Sequence, residues 1–222
     1  MTEQYHDEKA KYRTESAQLR NHWTRPLGPL GYYWFLTFEN SPELAGLANE
    51  YQPSIDFPYY DLTPQSKLHL TLGKIAHHVE ISRHQLHEVA ESAARTCNGI
   101  APFEVSIERL SGVRSAVAFE VHPTTKVEEL RNRLKSATES MIPRKAHSDS
   151  HPHPPHITIA YSNADGISAE RSMRAISRIN MSIHRISLRI DRVSLVLLSR
   201  EQNHYSWKMI SQLPLNGMER TQ

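Results

Sequence analysis

Two short segments carry the residue types that phosphoryl chemistry needs. The first reads Lys67-Leu68-His69-Leu70-Thr71-Leu72-Gly73 and the second reads Pro155-His156-Ile157-Thr158-Ile159-Ala160-Tyr161. Each contains His-apolar-Thr-apolar. In a strand successive side chains alternate faces, so His69 and Thr71 share one face while Leu70 and Leu72 take the other, and His156 and Thr158 repeat the arrangement against Ile157 and Ile159. An imidazole and a hydroxyl two residues apart lie roughly 7 Å apart at the backbone. Both can therefore converge on one tetrahedral phosphate, and two such strands could clamp it from opposite sides. One His-x-Thr alone means little, because any strand with a histidine and a threonine two along matches it. Two copies with the same apolar pattern, each in a corresponding half of the chain, are far harder to obtain by chance.

Around this pair stand weaker candidates for substrate binding. Tyr161, five residues past His156, has the parity of a core residue in an ideal strand, and only a bulge or the strand's end would turn it to the cleft to stack on a base. Lys74 occupies the corresponding place in the first half, and with Lys67 it could add positive charge near a phosphate; a solvated surface lysine is the plainer reading. Tyr59, Tyr60, Tyr205 and Trp207 could wall a nucleobase or simply fill the core. A metal site built from His147, His151, His153 and His156, or from the pair His84 and His87, is the rival chemistry. Prolines on either side of His153 and the want of a completing carboxylate or Cys pair argue against it. No metal is expected.

The elements that must position these residues follow from the hydrophobic pattern. Tyr32–Phe38 reads as a strand, Pro42 to Tyr51 as a helix after Ser41, and Leu68–Ile75 as a strand. Residues 81–97 form a second helix stopped by Asn98-Gly99, and Phe103–Leu110 with Ser115–His122 an antiparallel pair. A third helix covers Lys126–Met141, His156–Tyr161 is again a strand, and a fourth helix covers residues 168–180. Two strands close the chain, SLRIDRVSLVLLS and HYSWKMISQLPL. The order β-α-β-α-β-β-α-β-α-β-β divides into two similar halves. Residues 1–24 read as a polar N-terminal helix or arm, 25–216 as one bilobal domain, and 217–222 as a tail.

Composition excludes several classes. The chain has 222 residues, 38% hydrophobic and 23% charged, with 13 Pro and 8 Gly, which is neither collagenous, disordered nor coiled-coil. A formal charge of +2 is too near balance for a uniformly basic nucleic-acid binder, although a local basic cleft fits. The single Cys97 can form neither an intramolecular disulfide nor a zinc knuckle. No apolar run suits a signal peptide or a membrane span, so the expectation is a cytoplasmic protein with no membrane partner.

The pair His69-Leu70-Thr71 and His156-Ile157-Thr158 resembles the signature of the 2H phosphoesterase superfamily, which includes 2',3'-cyclic phosphodiesterases and 2'-5' RNA ligase-like proteins. The segment RNHWTRPLGPLGYYWFLTF ahead of a helix and HLTL is similar to bacterial proteins of that group. The resemblance implies an α+β fold of two pseudo-symmetric antiparallel sheet-and-helix lobes around a central cleft. It implies metal-independent, cofactor-free phosphodiester chemistry on an RNA end or a nucleotide, with one histidine as base and the other as acid. On that basis His156 is assigned as base and His69 as acid, with Thr71 and Thr158 donating to the non-bridging oxygens. A monomer is expected. The alternative is a module that binds RNA ends or nucleotides without turning them over, and retention of both histidines and both threonines argues against it.

Overall fold

The computed structural model describes residues 18–113, 115–142 and 153–218. Among them the elements run β1 (Gly28–Thr37), α1 (Pro42–Tyr51), β2 (Tyr60–Leu62), β3 (His69–Ala76), α2 (Arg83–Cys97), β4 (Phe103–Val113), β5 (Ala116–His122), α3 (Thr124–Met141), β6 (His156–Ser162), α4 (Glu170–Ile179), β7 (Ile186–Ile190), β8 (Arg192–Arg200) and β9 (Tyr205–Pro214). Local chemistry sets the helix starts. Ser41 caps α1 by accepting the Leu44 N–H at 3.3 Å, with Pro42 in the first turn. Ser82 and Gln85 close a reciprocal capping box on α2.

The strands form two antiparallel sheets, ordered β3-β1-β8-β9 and β2-β6-β5-β4-β7. This is the expected two-lobed α+β architecture, with one His-x-Thr strand in each sheet. The lobes are not simply the two halves of the chain. The first sheet joins β1 and β3 from the start to β8 and β9 from the end. Helix α3 follows β5 of the second sheet yet packs with α2 over the first, α3 against β3 and α2 against β9, while α4 covers β4 and α1 reaches β7.

The segment expected as a single strand, SLRIDRVSLVLLS, is two strands in different sheets. Buried positions fall at Leu188 and Ile190 before Asp191, then at Val193 and Leu195 after it. That change of parity is incompatible with one continuous strand facing one core, and the chain crosses between lobes at Asp191-Arg192.

Part of the segment read as a polar arm is packed. Leu19 is 3% exposed, its N–H donates to Ile167 O at 2.7 Å, and His22 N–H donates to Ser162 O at 2.8 Å. Residues 1–17 and 219–222 lie outside the described residues. At the other end Gly217 N–H donates to Ile100 O at 2.9 Å. Cys97 is buried and its thiol is pushed up to about 11 by burial, which makes it a core side chain rather than a nucleophile.

One buried polar contact couples the first sheet to its helix. The Trp34 indole N–H donates to Thr138 Oγ1 at 3.0 Å, and that hydroxyl donates to Leu134 O at 2.8 Å. Both side chains are almost completely buried. Thr138→Val keeps the shape but leaves the indole N–H without an acceptor, so unfolding in urea should show a loss of about 1–3 kcal/mol with an unchanged denaturant slope.

Candidate active site

His69 opens β3 just after a 3₁₀ turn at Gln65–Lys67, and His156 opens β6 just after Pro154-Pro155. Each ring is held the same way. Nδ1 of His69 donates to Lys67 O at 2.9 Å, and Nδ1 of His156 donates to Pro154 O at 2.8 Å. A carbonyl only accepts, so both neutral imidazoles carry their proton on Nδ1 and leave Nε2 as the free nitrogen. His69 is further fixed by stacking on Phe35, with centroids 4.3 Å apart and planes 16° off parallel, and by the edge of Trp207 at 5.1 Å. Strands β3 and β6 approach within 8 Å, Cα to Cα.

Both strands carry a bulge after the motif. Pairing of β1 with β3 slips between Phe35↔Thr71 and Trp34↔Gly73, leaving Leu72 extra. Pairing of β5 with β6 slips between Ala118↔Thr158 and Val117↔Ala160, leaving Ile159 extra. The carbonyl of Ile159 accepts from Thr63 N at 2.9 Å and from buried Gln52 Nε2 at 3.0 Å. The bulge inverts the alternation beyond it. Ile159 and Ala160 both enter the main core, and Tyr161 joins a separate cluster on the cleft side with Tyr33, Phe35 and Tyr205. The Thr158 hydroxyl is directed at the Tyr161 phenol, whose pKa burial raises strongly. Lys74, paired with Tyr33, is brought to the same face as Tyr33 by the equivalent bulge in β3 and is exposed.

Burial sets the protonation of the two imidazoles. His69, 9% exposed, is pushed down to about 4, chiefly by burial and also by the charge of His156, against the raising effect of Lys67 O. His156 is lowered by burial first, then by His153 and Arg131, against the raising effect of Pro154 O. Lys67 contributes twice, through its carbonyl and through an ammonium 4.8 Å above the Trp207 ring.

Sequence reasoning missed Arg131. On the amphipathic pattern of α3 it reads as a flank residue, yet its Nη1 donates to His153 O at 3.2 Å and its Nη2 to Thr71 O at 3.3 Å. It thereby ties the two His-x-Thr segments together, and burial lowers its pKa. No sequence signal marks it, because both acceptors are backbone carbonyls. Also missed were His22 and Trp23, whose rings contact Tyr161 at 4.3 and 5.1 Å. Of the aromatic wall, Tyr205 and Trp207 face the cleft. Tyr59 and Tyr60 do not: Tyr59 stacks on Phe57 and both pack on the main core beyond β6. Of the histidine rivals, His84 sits exposed beside Glu88 at 3.7 Å, and His147 and His151 lie outside the described residues. No helix among the described residues is long and apolar enough to cross a membrane.

Two antiparallel sheets with a His-x-Thr strand in each are the arrangement expected of the 2H phosphoesterase superfamily. The chain belongs to the 2'-5' RNA ligase superfamily, whose family model matches residues 41–202. Among solved structures it is similar to TT0787 of Thermus thermophilus, at 16% identity and TM-score 0.65 over 84% of this chain and 98% of that one. It is also similar to E. coli LigT complexed with NADP+, at 16% identity and TM-score 0.60 over 85% and 99%. LigT complexed with 3'-AMP gives 16% identity and TM-score 0.59 over 84% and 98%. No curated protein sequence matches the chain.

The buried imidazole makes stability depend on pH. His69 binds a proton near 6.5 in the unfolded chain but only near 4 when folded, so protonation favours unfolding. Its contribution is complete above pH 6.5 and is lost as pH falls toward 4, up to about 3 kcal/mol from this residue. Unfolding free energies of His69→Gln measured across that window should fall less steeply than those of the wild type.

Proposed function

We propose that the protein is a metal-independent phosphodiesterase acting on a 2',3'-cyclic phosphate or a 2'-5' phosphodiester of RNA or a nucleotide, with His69 and His156 as the acid–base pair. The observation that carries this reading is the matched tethering of the two imidazoles, each with Nδ1 committed to the carbonyl two residues back and Nε2 left for proton transfer. That LigT, a protein of the same fold, is complexed with 3'-AMP, NADP+ and ATP supports a nucleotide ligand.

For a cyclic phosphate, one Nε2 takes the proton of an attacking water as its oxygen bonds to phosphorus. The opposite Nε2 protonates the ribose oxygen as its bond to phosphorus breaks, which leaves a phosphomonoester. For a 2'-5' linkage the adjacent ribose 3'-hydroxyl replaces water, and the reverse of that step is ligation. Thr71 and Thr158 donate to the non-bridging oxygens, and Lys67, Lys74 and Arg131 supply positive potential. Tyr161 positions the Thr158 hydroxyl and contributes a wall of the cleft.

Burial disfavours charge on both imidazoles and pushes His69 down to about 4, which supports His69 as base and His156 as acid, against the polarity expected from sequence. An aryl phosphodiester whose leaving group needs no proton tests this directly. His156→Ala should recover most of its lost rate on that ester, while His69→Ala should not; recovery in His69→Ala instead would restore the sequence-based polarity.

Activity on 2',3'-cyclic mononucleotides should persist in EDTA, and His69→Ala or His156→Ala should each lower kcat by about 10²–10⁴. The double variant should lose little more, because the two groups act as one unit. Because both imidazoles titrate below 6.5 in the free protein, kcat/KM should peak on the acid side of that value. A bound phosphate anion favours imidazolium and should move the kcat profile to higher pH. Abolition of turnover by chelator with rescue by a divalent ion would exclude the metal-independent mechanism.

A further inference from the structure

Past the histidines, the cleft-side cluster ends in two arginines from opposite ends of the chain. Arg25 lies against the Tyr33 hydroxyl, close enough to act on it by hydrogen bonding, and its charge is felt at His22, Tyr161 and Tyr205. Arg200, at the end of β8, passes over the Trp23 ring at 5.6 Å, and its Nη1 donates to the carbonyl of Arg25. Its Nε is buried and has no hydrogen-bond partner. Of the acids around it, Asp61 accepts the Trp23 indole N–H at 2.7 Å, and Glu201, next to Arg200 in the chain, accepts the Ser206 hydroxyl at 2.5 Å. Among the described residues neither guanidinium is bridged to a carboxylate.

A structural role accounts for one Arg200 N–H, the one on the Arg25 carbonyl. It leaves the buried Nε without an acceptor, and it leaves neither guanidinium in an ion pair among the described residues. His22 lies among them held neutral by burial and by both arginines, its Nε2 hydrogen-bonded to the Tyr205 hydroxyl at 2.9 Å. The chemistry that such a group accepts is an anion with several oxygens, for which guanidinium forks are suited.

The placement says which anion. Phe35 stacks on His69, and Tyr33 stands two residues along β1 on the same cleft face, its ring centroid 5.9 Å from that of Phe35. On the facing strand Tyr161 stands three residues past Thr158, with the bulge at Ile159 bringing it to the same side. We propose that Arg25 and Arg200 form a second anion subsite that takes a phosphate adjacent to the one held between His69 and His156, so that the preferred ligands are nucleotides or RNA ends bearing two phosphates. This deepens the phosphodiesterase reading and rests on it.

Binding tests it without turnover. Quenching of tryptophan fluorescence would be titrated at neutral pH with adenosine 3'-phosphate, adenosine 3',5'-bisphosphate, and a dinucleotide carrying a 3'-phosphate. Wild type should bind both two-phosphate ligands about tenfold more tightly than the monophosphate. A gain with the bisphosphate alone assigns the subsite to a terminal phosphate, and a gain with the dinucleotide alone assigns it to a bridging one. Arg25→Gln should abolish the preference while leaving monophosphate affinity within about twofold. Arg200→Gln should do the same, and if that variant does not fold, exposed Arg25 alone decides. Equal wild-type affinity for all three ligands, or a loss in Arg25→Gln that is the same for all three, overturns the subsite and leaves the phosphodiesterase reading intact. Failure of every ligand to bind overturns the nucleotide reading and the subsite with it.

Discussion

The bond from each imidazole Nδ1 to the carbonyl two residues before it is the constraint on which the site depends. It selects the tautomer, and it keeps Nε2 turned into the cleft whatever the ring's charge. A histidine free to flip would present either nitrogen, and acid and base roles would be lost to misorientation rather than to misprotonation. The device is local, needing only a turn of chain that aims one carbonyl along the face its strand presents. The 3₁₀ turn at Gln65–Lys67 does this in the first lobe and Pro154-Pro155 does it in the second, so two unrelated sequences reach the same geometry.

What the local device cannot do is hold the two strands at one spacing. That falls to contacts between lobes. Arg131, borne on a helix that follows the second sheet but packs over the first, donates to one carbonyl beside each histidine segment. The Ile159 carbonyl at the bulge in β6 accepts from Thr63 and Gln52, which ties the irregular backbone to β2 and the turn before it. The exchange of elements between lobes has the same consequence, because neither sheet can be completed without chain from beyond the other. Packing of His22 and Trp23 against Tyr161 and Tyr205 extends the tie to the segment ahead of β1.

Burial then trades affinity for protons against precision. Stacking on Phe35 immobilises His69, yet the same apolar contact disfavours its charged form. His156 has no such stacking partner and is lowered by burial first and then by His153 and Arg131, which is how two imidazoles with equivalent tethers come to differ. Sequence symmetry between the motifs hides this difference entirely, since it arises from what lies across the sheet and not from neighbours in the chain.

The His-x-Thr pair, its strands and their apolar faces were legible in the chain because alternation with a period of two is a local property of adjacent residues. So were the four helices, the first of whose starts is marked by Ser41-Pro42. The tertiary structure alone decided what depends on register and on partners remote in sequence. Tyr161 reads as core by parity, and one extra residue in pairing turns it to the cleft. The run from Ser187 to Ser199 reads as one strand until two sheets claim its two parities. Arg131, Arg25 and Arg200 carry no pattern at all, because their acceptors are backbone carbonyls or aromatic side chains distant in sequence, and only folding brings those within a bond's length.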